Sequence, residues 1–267
     1  MRDVLQVLNE QFANLGLIFR LAKYDIKSAY QMHYLGTVWQ FLNPIIQVAA
    51  FWFVFGIGIR RGQPVGDVPF IVWLIVSIVP WFFINSSINQ GTKSIHSKVN
   101  LVSKMKFPFS ILPSVIIVKN VYNFMVMMVI VLVILLINDI YPTIYWVQLP
   151  YYLMTLMIFL FAANILLATL SILIRDIQAA INSFMRLFFF VTPIFWVAEG
   201  LPDKIVALLK LNPFYYLIEG FRNTFFLETW FYEDLTYTIY FWGFTLIMLL
   251  FGSFIHIKFK DKFVDYL

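Results

Sequence analysis

Residues 89–113 read NQGTKSIHSKVNLVSKMKFPFSILP. Lys93, Lys98, Lys104 and Lys106 crowd a short segment between two long apolar runs, in a chain of 267 residues that is 61% hydrophobic and only 12% charged. A soluble domain carries about 25% charged residues, and the mean hydropathy here is +0.83. A basic stretch in that setting is a loop between two membrane-crossing helices. Working outward from it, six runs approach the about 20 apolar residues that a helix needs to cross the hydrocarbon core. They lie at 36–58, 68–88, 109–137, 149–174, 179–197 and 235–257. The third is longer than a bilayer requires, which places Lys119 near the inner interface with the helix continuing below it.

Charge gives the orientation. Twelve of the nineteen Lys and Arg fall on one side: Arg2, Arg20, Lys23 and Lys27, the four lysines of the 89–107 loop, Arg175, and Lys258, Lys260 and Lys262. Five fall on the other: Arg60, Arg61, Lys204, Lys210 and Arg222. The positive-inside rule then makes the basic loop and both termini cytoplasmic, in agreement with six crossings of the membrane. The N-terminus, MRDVLQVLNEQF, lacks the apolar core of a signal peptide, so insertion through the first span is expected.

Composition also excludes chemistries. The +5 charge is explained by cytoplasmic loops, so no nucleic acid partner is expected. There is no cysteine, and His33, His96 and His256 are scattered without metal-ligand spacing. GTKS at 91–94 lacks the glycine that a phosphate loop places before its lysine, so the chain has no ATPase machinery of its own. None of the six runs contains Asp or Glu, which argues against a proton- or sodium-coupled carrier. Asp176 beside Arg175 reads as a local ion pair. No catalytic residues, cofactor or metal are expected on this chain.

Three segments stand outside the spans. In the arm, residues 1–33, Leu8, Phe12, Leu15, Phe19 and Ala22 follow helical spacing, with Arg20, Lys23 and Lys27 near another face. Such a helix lies in the membrane plane, either as a plain surface anchor or as a receiver of an anionic headgroup. In the loop, Lys93, Ser97, Asn100 and Lys104 recur on one side of a short helix while Ile95, Val99 and Val102 occupy the other. That is either an ordinary basic loop or a docking face. Residues 198–234 are too aromatic for a solvated loop. Two pieces, 202–210 and 214–228, are too short to span and suit re-entrant or interfacial half-helices forming an outer gate. Pro213 and Gly220 would supply the breaks, with Tyr215, Tyr216 and Arg222 in the gate.

Arg186 lies mid-span in AAINSFMRLFFFVTPIFWV, a position that is functional by default, with pairing to backbone or burial at a subunit contact as the alternative. Trp39, Phe184, Phe188 and Phe195 are candidates for lining a path, although a stripe at helical spacing is more often core. Trp39, Trp52, Trp73 and Trp81 read as interfacial belt residues.

KYDIKSAYQMHYLGTVWQFLNPIIQ at 23–47 resembles the opening motif of membrane permeases of ABC exporters of polysaccharides. LVSKMKFPFSILP at 101–113, SILIRDIQ at 171–178, TPIFW at 192–196 and LNPFYYLIEGFRNTF at 211–225 match that family's later stations in order. The resemblance covers nearly the whole chain. YQMHYLGTVWQFLNPIIQ with WFVFGIGIRRG looks most like the permeases that translocate teichoic acid in Gram-positive bacteria, with O-antigen exporter permeases as near neighbours. The resemblance implies an all-α membrane protein with a single exporter transmembrane domain over 1–267. It implies a homodimer bound to two copies of a separate ABC ATPase subunit, which carries ATP and Mg. It makes 89–106 a coupling helix, with Lys93, Ser94, Ser97, Lys98, Asn100 and Lys104 toward the ATPase. The cargo it implies is lipid-linked wall teichoic acid. Spans one and five would open a passage across the dimer axis.

Overall fold

The computed structural model describes residues 2–30, 34–59, 61–98, 108–198 and 200–263. Among these residues the chain is helical, with a single antiparallel bridge between Val65 and Val68. The elements are α1 (Arg2–Ala13), α2 (Leu15–Tyr30), α3 (Trp39–Phe51), α4 (Phe70–Thr92), α5 (Leu112–Ile137), α6 (Leu149–Leu173), α7 (Ile177–Val191), α8 (Asp203–Lys210), α9 (Pro213–Arg222) and α10 (Leu235–Phe259). α3 runs on into a π-helical stretch, Trp52–Ile59, and α9 into another, Asn223–Leu227.

Among the described residues, five helices are long and apolar enough to cross a membrane: Phe41–Ile59, Phe70–Thr92, Phe109–Ile137, Ile144–Leu173 and Leu235–Lys262. They coincide with five of the six expected runs to within a few residues. The exception is the fifth run, 179–197. Its helix, α7, has 15 residues, about 22 Å at 1.5 Å per residue, short of a core about 30 Å thick. Pro193 is the cause, because it drives the preceding residue out of the helical region, and Thr192 sits at φ −73, ψ 133. Residues 192–198 continue without helix. Thr192, Pro193 and Ile194 are nevertheless buried, the condition under which irregular backbone survives at membrane depth.

α4 is the centre, packed on α3, α5, α6, α7 and α9. In its most apolar 18-residue window 78% of positions are buried, against 11% in that of Phe41–Ile59, which joins α3 to its π-helical continuation. Lipid is as apolar as leucine, so close packing and small residues hold such helices together. Gly252 of α10 shows this: a Cβ there would lie 2.9 Å from the Leu166 backbone nitrogen of α6. The tryptophans correct one expectation. Trp73 and Trp81 are 5% and 2% exposed and belong to the core instead of a belt, while Trp52 is 40% exposed.

Candidate translocation face, outer cap and coupling base

Short helices lie at the two pieces 202–210 and 214–228, as α8 and as α9 with its π turn. α9 is driven inward against α4, α6 and α10. Asn212 caps it by accepting from the Phe214 amide at 3.0 Å and donates to Thr192 Oγ1 at 2.7 Å. Pro213 stands at the start of α9 as expected, and the sequence break lies there. Gly220 is not a break. It sits inside α9, where a Cβ would fall 2.0 Å from the ring of Tyr152, so it exists to let α9 approach α6. The half-helix ends later, at Glu228, in the left-handed region (φ 51).

Every residue of α9 except Glu219 is buried. Tyr216 Oη bonds to Tyr151 Oη at 2.8 Å and Thr238 Oγ1 at 3.2 Å, which ties α9 to α6 and α10. Tyr215 faces Glu219 and Arg222. Burial pushes its phenol up to about 12, with Glu219 adding and Arg222 opposing, so it remains a neutral hydroxyl. Arg222, counted from the sequence among the outer-side cations, is 3% exposed. Its Nε donates to Ser77 Oγ at 2.8 Å and its Nη2 to the Ile194 carbonyl at 3.0 Å. Its guanidinium lies 3.6 Å from the Trp73 ring centroid, and Nη1 lies 3.6 Å from Glu219 Oε2. One side chain therefore clamps α4, α9 and the non-helical end of the fifth run. At the rim Lys210 pairs with Asp234 at 3.0 Å. Burial alone would raise the Asp234 carboxyl; hydrogen bonds from Lys210 and the Tyr237 amide and the Lys210 charge outweigh it and hold it below the usual value.

α7 presents a different surface. Its apolar side, Met185 and Phe188, faces the core, and Asn182, Ser183 and Arg186 are exposed. The hydrogen bond of Arg186 runs to Ser183 Oγ at 3.3 Å. α3 packs beside α7 through Phe51–Phe189 (5.2 Å), and its π-helical continuation packs on the segment after α7 through Phe55–Phe195 (4.4 Å); α3 too carries exposed polar residues, Asn43 and Gln47. Of the aromatic path candidates, Phe184 is exposed. Phe188 and Phe195 are half-buried, Phe188 against Phe214 at 5.2 Å and Phe195 in the α3–α7 seam; Trp39 is half-buried at the start of α3.

At the opposite end α4 continues to Thr92 and is followed by a 3-10 turn, His96–Lys98. Asn100 and Lys104 lie outside the described residues. Lys93 and Ser97 are exposed, as expected of a docking face, but Ser94 is buried. Ile95 explains this. It is fully buried against Leu112, Ala168, Ile172 and Phe263, which turns Ser94 inward with it. Lys98 is also engaged within the chain, with Nζ 2.5 Å from Asp25 Oδ2 of α2.

The arm is stapled to the bundle. Gln11 Nε2 donates to the Ser110 carbonyl at 3.0 Å, Ser114 Oγ to Gln11 Oε1 at 2.7 Å, and Ser110 Oγ to Glu10. Glu10 also lies 3.7 Å from Lys260 Nζ. Ile18 and Ala22 pack on Ile111 and Val115. The buried stripe is thus Val7, Gln11, Ile18 and Ala22, and most of the stripe read from the sequence faces outward: Phe12, Leu15 and Phe19 are 70%, 46% and 59% exposed. The two stripes are neighbours on one helical surface, the first against protein and the second suited to lipid. Arg20, Lys23 and Lys27 are exposed.

The sequence profile of the ABC-2 type transporter family matches residues 16–226, from α2 through the π turn after α9. The chain belongs to the ABC-2 type transporter family. The O-antigen export system permease protein RfbA of Myxococcus xanthus is 26% identical over 225 residues, covering 84% of this chain and 85% of its own length. Two proteins of the same name from Klebsiella pneumoniae are 27% and 25% identical over 259 residues, covering 95% of this chain and 97% of theirs. The residues that clamp this ABC-2 chain together around α9, Trp73, Ser77 and Glu219, were not legible as such. The i,i+3 spacing of Glu219 and Arg222 is a signal for an ion pair; nothing local links Arg222 to Trp73 or Asp25 to Lys98.

Proposed function

We propose that this chain is the membrane-spanning subunit of an ATP-driven exporter that moves lipid-linked polysaccharide of the O-antigen type from the inner to the outer leaflet of a bacterial plasma membrane. The observation that carries this reading is the similarity, over nearly the full length, to proteins named as O-antigen export permeases. Wall teichoic acid, the cargo first expected from the sequence, gives way to O-antigen-type polysaccharide because the similar proteins bear that name. Two copies of the chain would work with two copies of a separate ABC ATPase.

The geometry supports roles for particular residues. Polar side chains exposed on a helix at membrane depth are costly against lipid and suit a second subunit or a wet passage. Asn182, Ser183 and Arg186 of α7, with Asn43 and Gln47 of α3, meet that description, and in this reading Arg186 meets the diphosphate of the carrier lipid. Basic residues at both ends of the chain favour an even number of crossings, with α7 and residues 192–198 together making the fifth of six. The exposed Arg20, Lys23 and Lys27 receive the anionic headgroup beside the lipid-facing Phe12 and Phe19. Lys93 and Ser97 face the ATPase. Lys98 passes motion of that loop to the arm through Asp25. α8 and α9 cap the outer end.

Deleting the gene in its own bacterium is expected to strip polymer from the cell surface and accumulate lipid-linked polysaccharide inside. Complementation restores the surface polymer. Unchanged surface polysaccharide in the deletion strain would remove the reading.

A further inference from the structure

Two cavities flank α9 at the outer cap. One, of about 520 Å³, lies between the 65–68 loop, Trp73 near the start of α4, Pro193, Val197, Ala198, Gly200 and Leu201, and the Glu219–Arg222 side of α9. The other, of about 290 Å³, lies between α9, residues 223–231 and the start of α10. They share Tyr215, Glu219 and Leu227 as a common wall. Glu219 is the single residue of α9 that is not buried, and it opens onto both. Small-molecule sites measure about 300–1,000 Å³, and these two adjoining spaces fall at that scale.

The lining selects the ligand. A bare anion does not fit, because Asp67, Glu219 and Asp234 line the walls and the cations there are committed, Arg222 to Ser77, Ile194 and Glu219, and Lys210 to Asp234. An acyl chain does not fit either: it would cover carboxylate, amide and phenol groups without giving them a partner. What remains is a neutral ligand with many hydroxyls and apolar ring faces. Trp230, Phe231 and Tyr237 supply flat apolar surfaces. Glu219 accepts from hydroxyls, and the neutral phenol of Tyr215 donates.

We infer that the outer cap of each chain holds a carbohydrate-binding groove, centred on Glu219, that takes neutral sugar residues of the polymer as it leaves the membrane. The inference rests on the polysaccharide-export reading for the identity of the polymer. The groove sits within one chain, so it works per subunit and holds the emerging polymer apart from the α3–α7 face. It biases movement outward by giving sugars a place to stay after each ATPase stroke.

The test uses the full chain in lipid nanodiscs without the ATPase. The probes are neutral hexose tetrasaccharides of the mannan, galactan and maltose series, read by tryptophan fluorescence and saturation-transfer NMR. Saturable binding of at least one series is expected. Tyr215→Phe should weaken it roughly threefold, the loss of one hydrogen bond, and Trp230→Ala roughly tenfold, the loss of one stacked aromatic face. Tyr141→Phe, remote and 62% exposed, leaves binding unchanged. No saturable binding by folded protein, or binding indifferent to both groove variants, overturns the groove. Intact ATPase-dependent export beside absent binding sinks the groove alone. Binding without export sinks the export reading and leaves the groove standing.

Discussion

Replacing Arg222 by alanine is the perturbation with the most calculable consequence. The guanidinium is 3% exposed and makes hydrogen bonds of 2.8 Å to Ser77 and 3.0 Å to the Ile194 carbonyl. Hydrogen bonds involving a charged group contribute about 1.5–3 kcal/mol each. The stack on Trp73 at 3.6 Å adds about 2 kcal/mol when desolvated. Glu219, 3.6 Å away with a 28% exposed side chain, is partly screened and adds less. Against these stands a desolvation cost of several kcal/mol for the buried cation. Truncation removes the contacts and leaves the Ile194 carbonyl and Glu219 carboxylate behind, so the loss is about 3–5 kcal/mol. For a chain of this size that is about 10 °C in apparent melting temperature, measurable by intrinsic fluorescence in nanodiscs. Arg222→Lys keeps the charge but not the fork that reaches Ser77 and Ile194 together, and should fall between. Adding Glu219→Gln to Arg222→Met should cost less than the sum of the single changes. A drop under about 2 °C for Arg222→Ala, or strict additivity in the pair, would refute the view that this side chain clamps the outer cap.

Other consequences are quicker to check. Gly220→Ala places a Cβ 2.0 Å from the buried Tyr152 ring and should destabilise by about 1–3 kcal/mol through overpacking, read as a lower melting temperature and poorer membrane yield. Lys98→Glu should uncouple ATP hydrolysis from export, and the swap with Asp25→Lys should restore a measurable part of it; equal loss in the swap would deny the pair a transmitting role. Arg186→Ala, at an exposed position bonded to Ser183, should leave melting within about 1 °C, since surface changes stay within ±0.5 kcal/mol, yet lower surface polymer several-fold. Asp234 has its carboxyl held below the ordinary range and accepts from the Tyr237 amide at 3.1 Å. Its contribution is present above the unfolded-state value and is lost as pH falls through the lowered one. Protection of the Tyr237 amide against hydrogen exchange, taken relative to the intrinsic rate at each pH, should accordingly fall only in acid.

What the sequence revealed and what it hid follow from the range of the interactions. Continuous apolar runs mark spans by length alone, and Phe70–Thr92 and Leu235–Phe259 lie where they were expected. The two short helices were legible because Pro213 breaks the chain between pieces too short to span, whereas Gly220, read as a second break, serves the close approach of α9 to α6. Burial direction was less so. Trp73 and Trp81 look like belt residues in one dimension, and only the inward path of α9, with Arg222 stacked on Trp73 and Phe214 edge-on to Trp81 at 5.5 Å, makes them core. The arm shows the same limit: Phe12 and Phe19 give the stronger apolar period, while Gln11 is buried because Ser110 and Ser114, about a hundred residues away, satisfy it. Helical periodicity reports which positions share a face; it carries no information on whether lipid or protein will cover it. In the loop after α4 Ile95 decided the orientation, and burying it carried Ser94 inward as well.

The most direct measurement places this chain in proteoliposomes with lipid-linked polysaccharide, with and without its ATPase, and adds a polymer-cleaving glycosidase outside. The account predicts cleavage of the flipped polymer only when both subunits and hydrolysable ATP are present. Cleavage with this chain alone would identify an ATP-independent scramblase. No cleavage in the complete, ATP-hydrolysing system would contradict polysaccharide export itself.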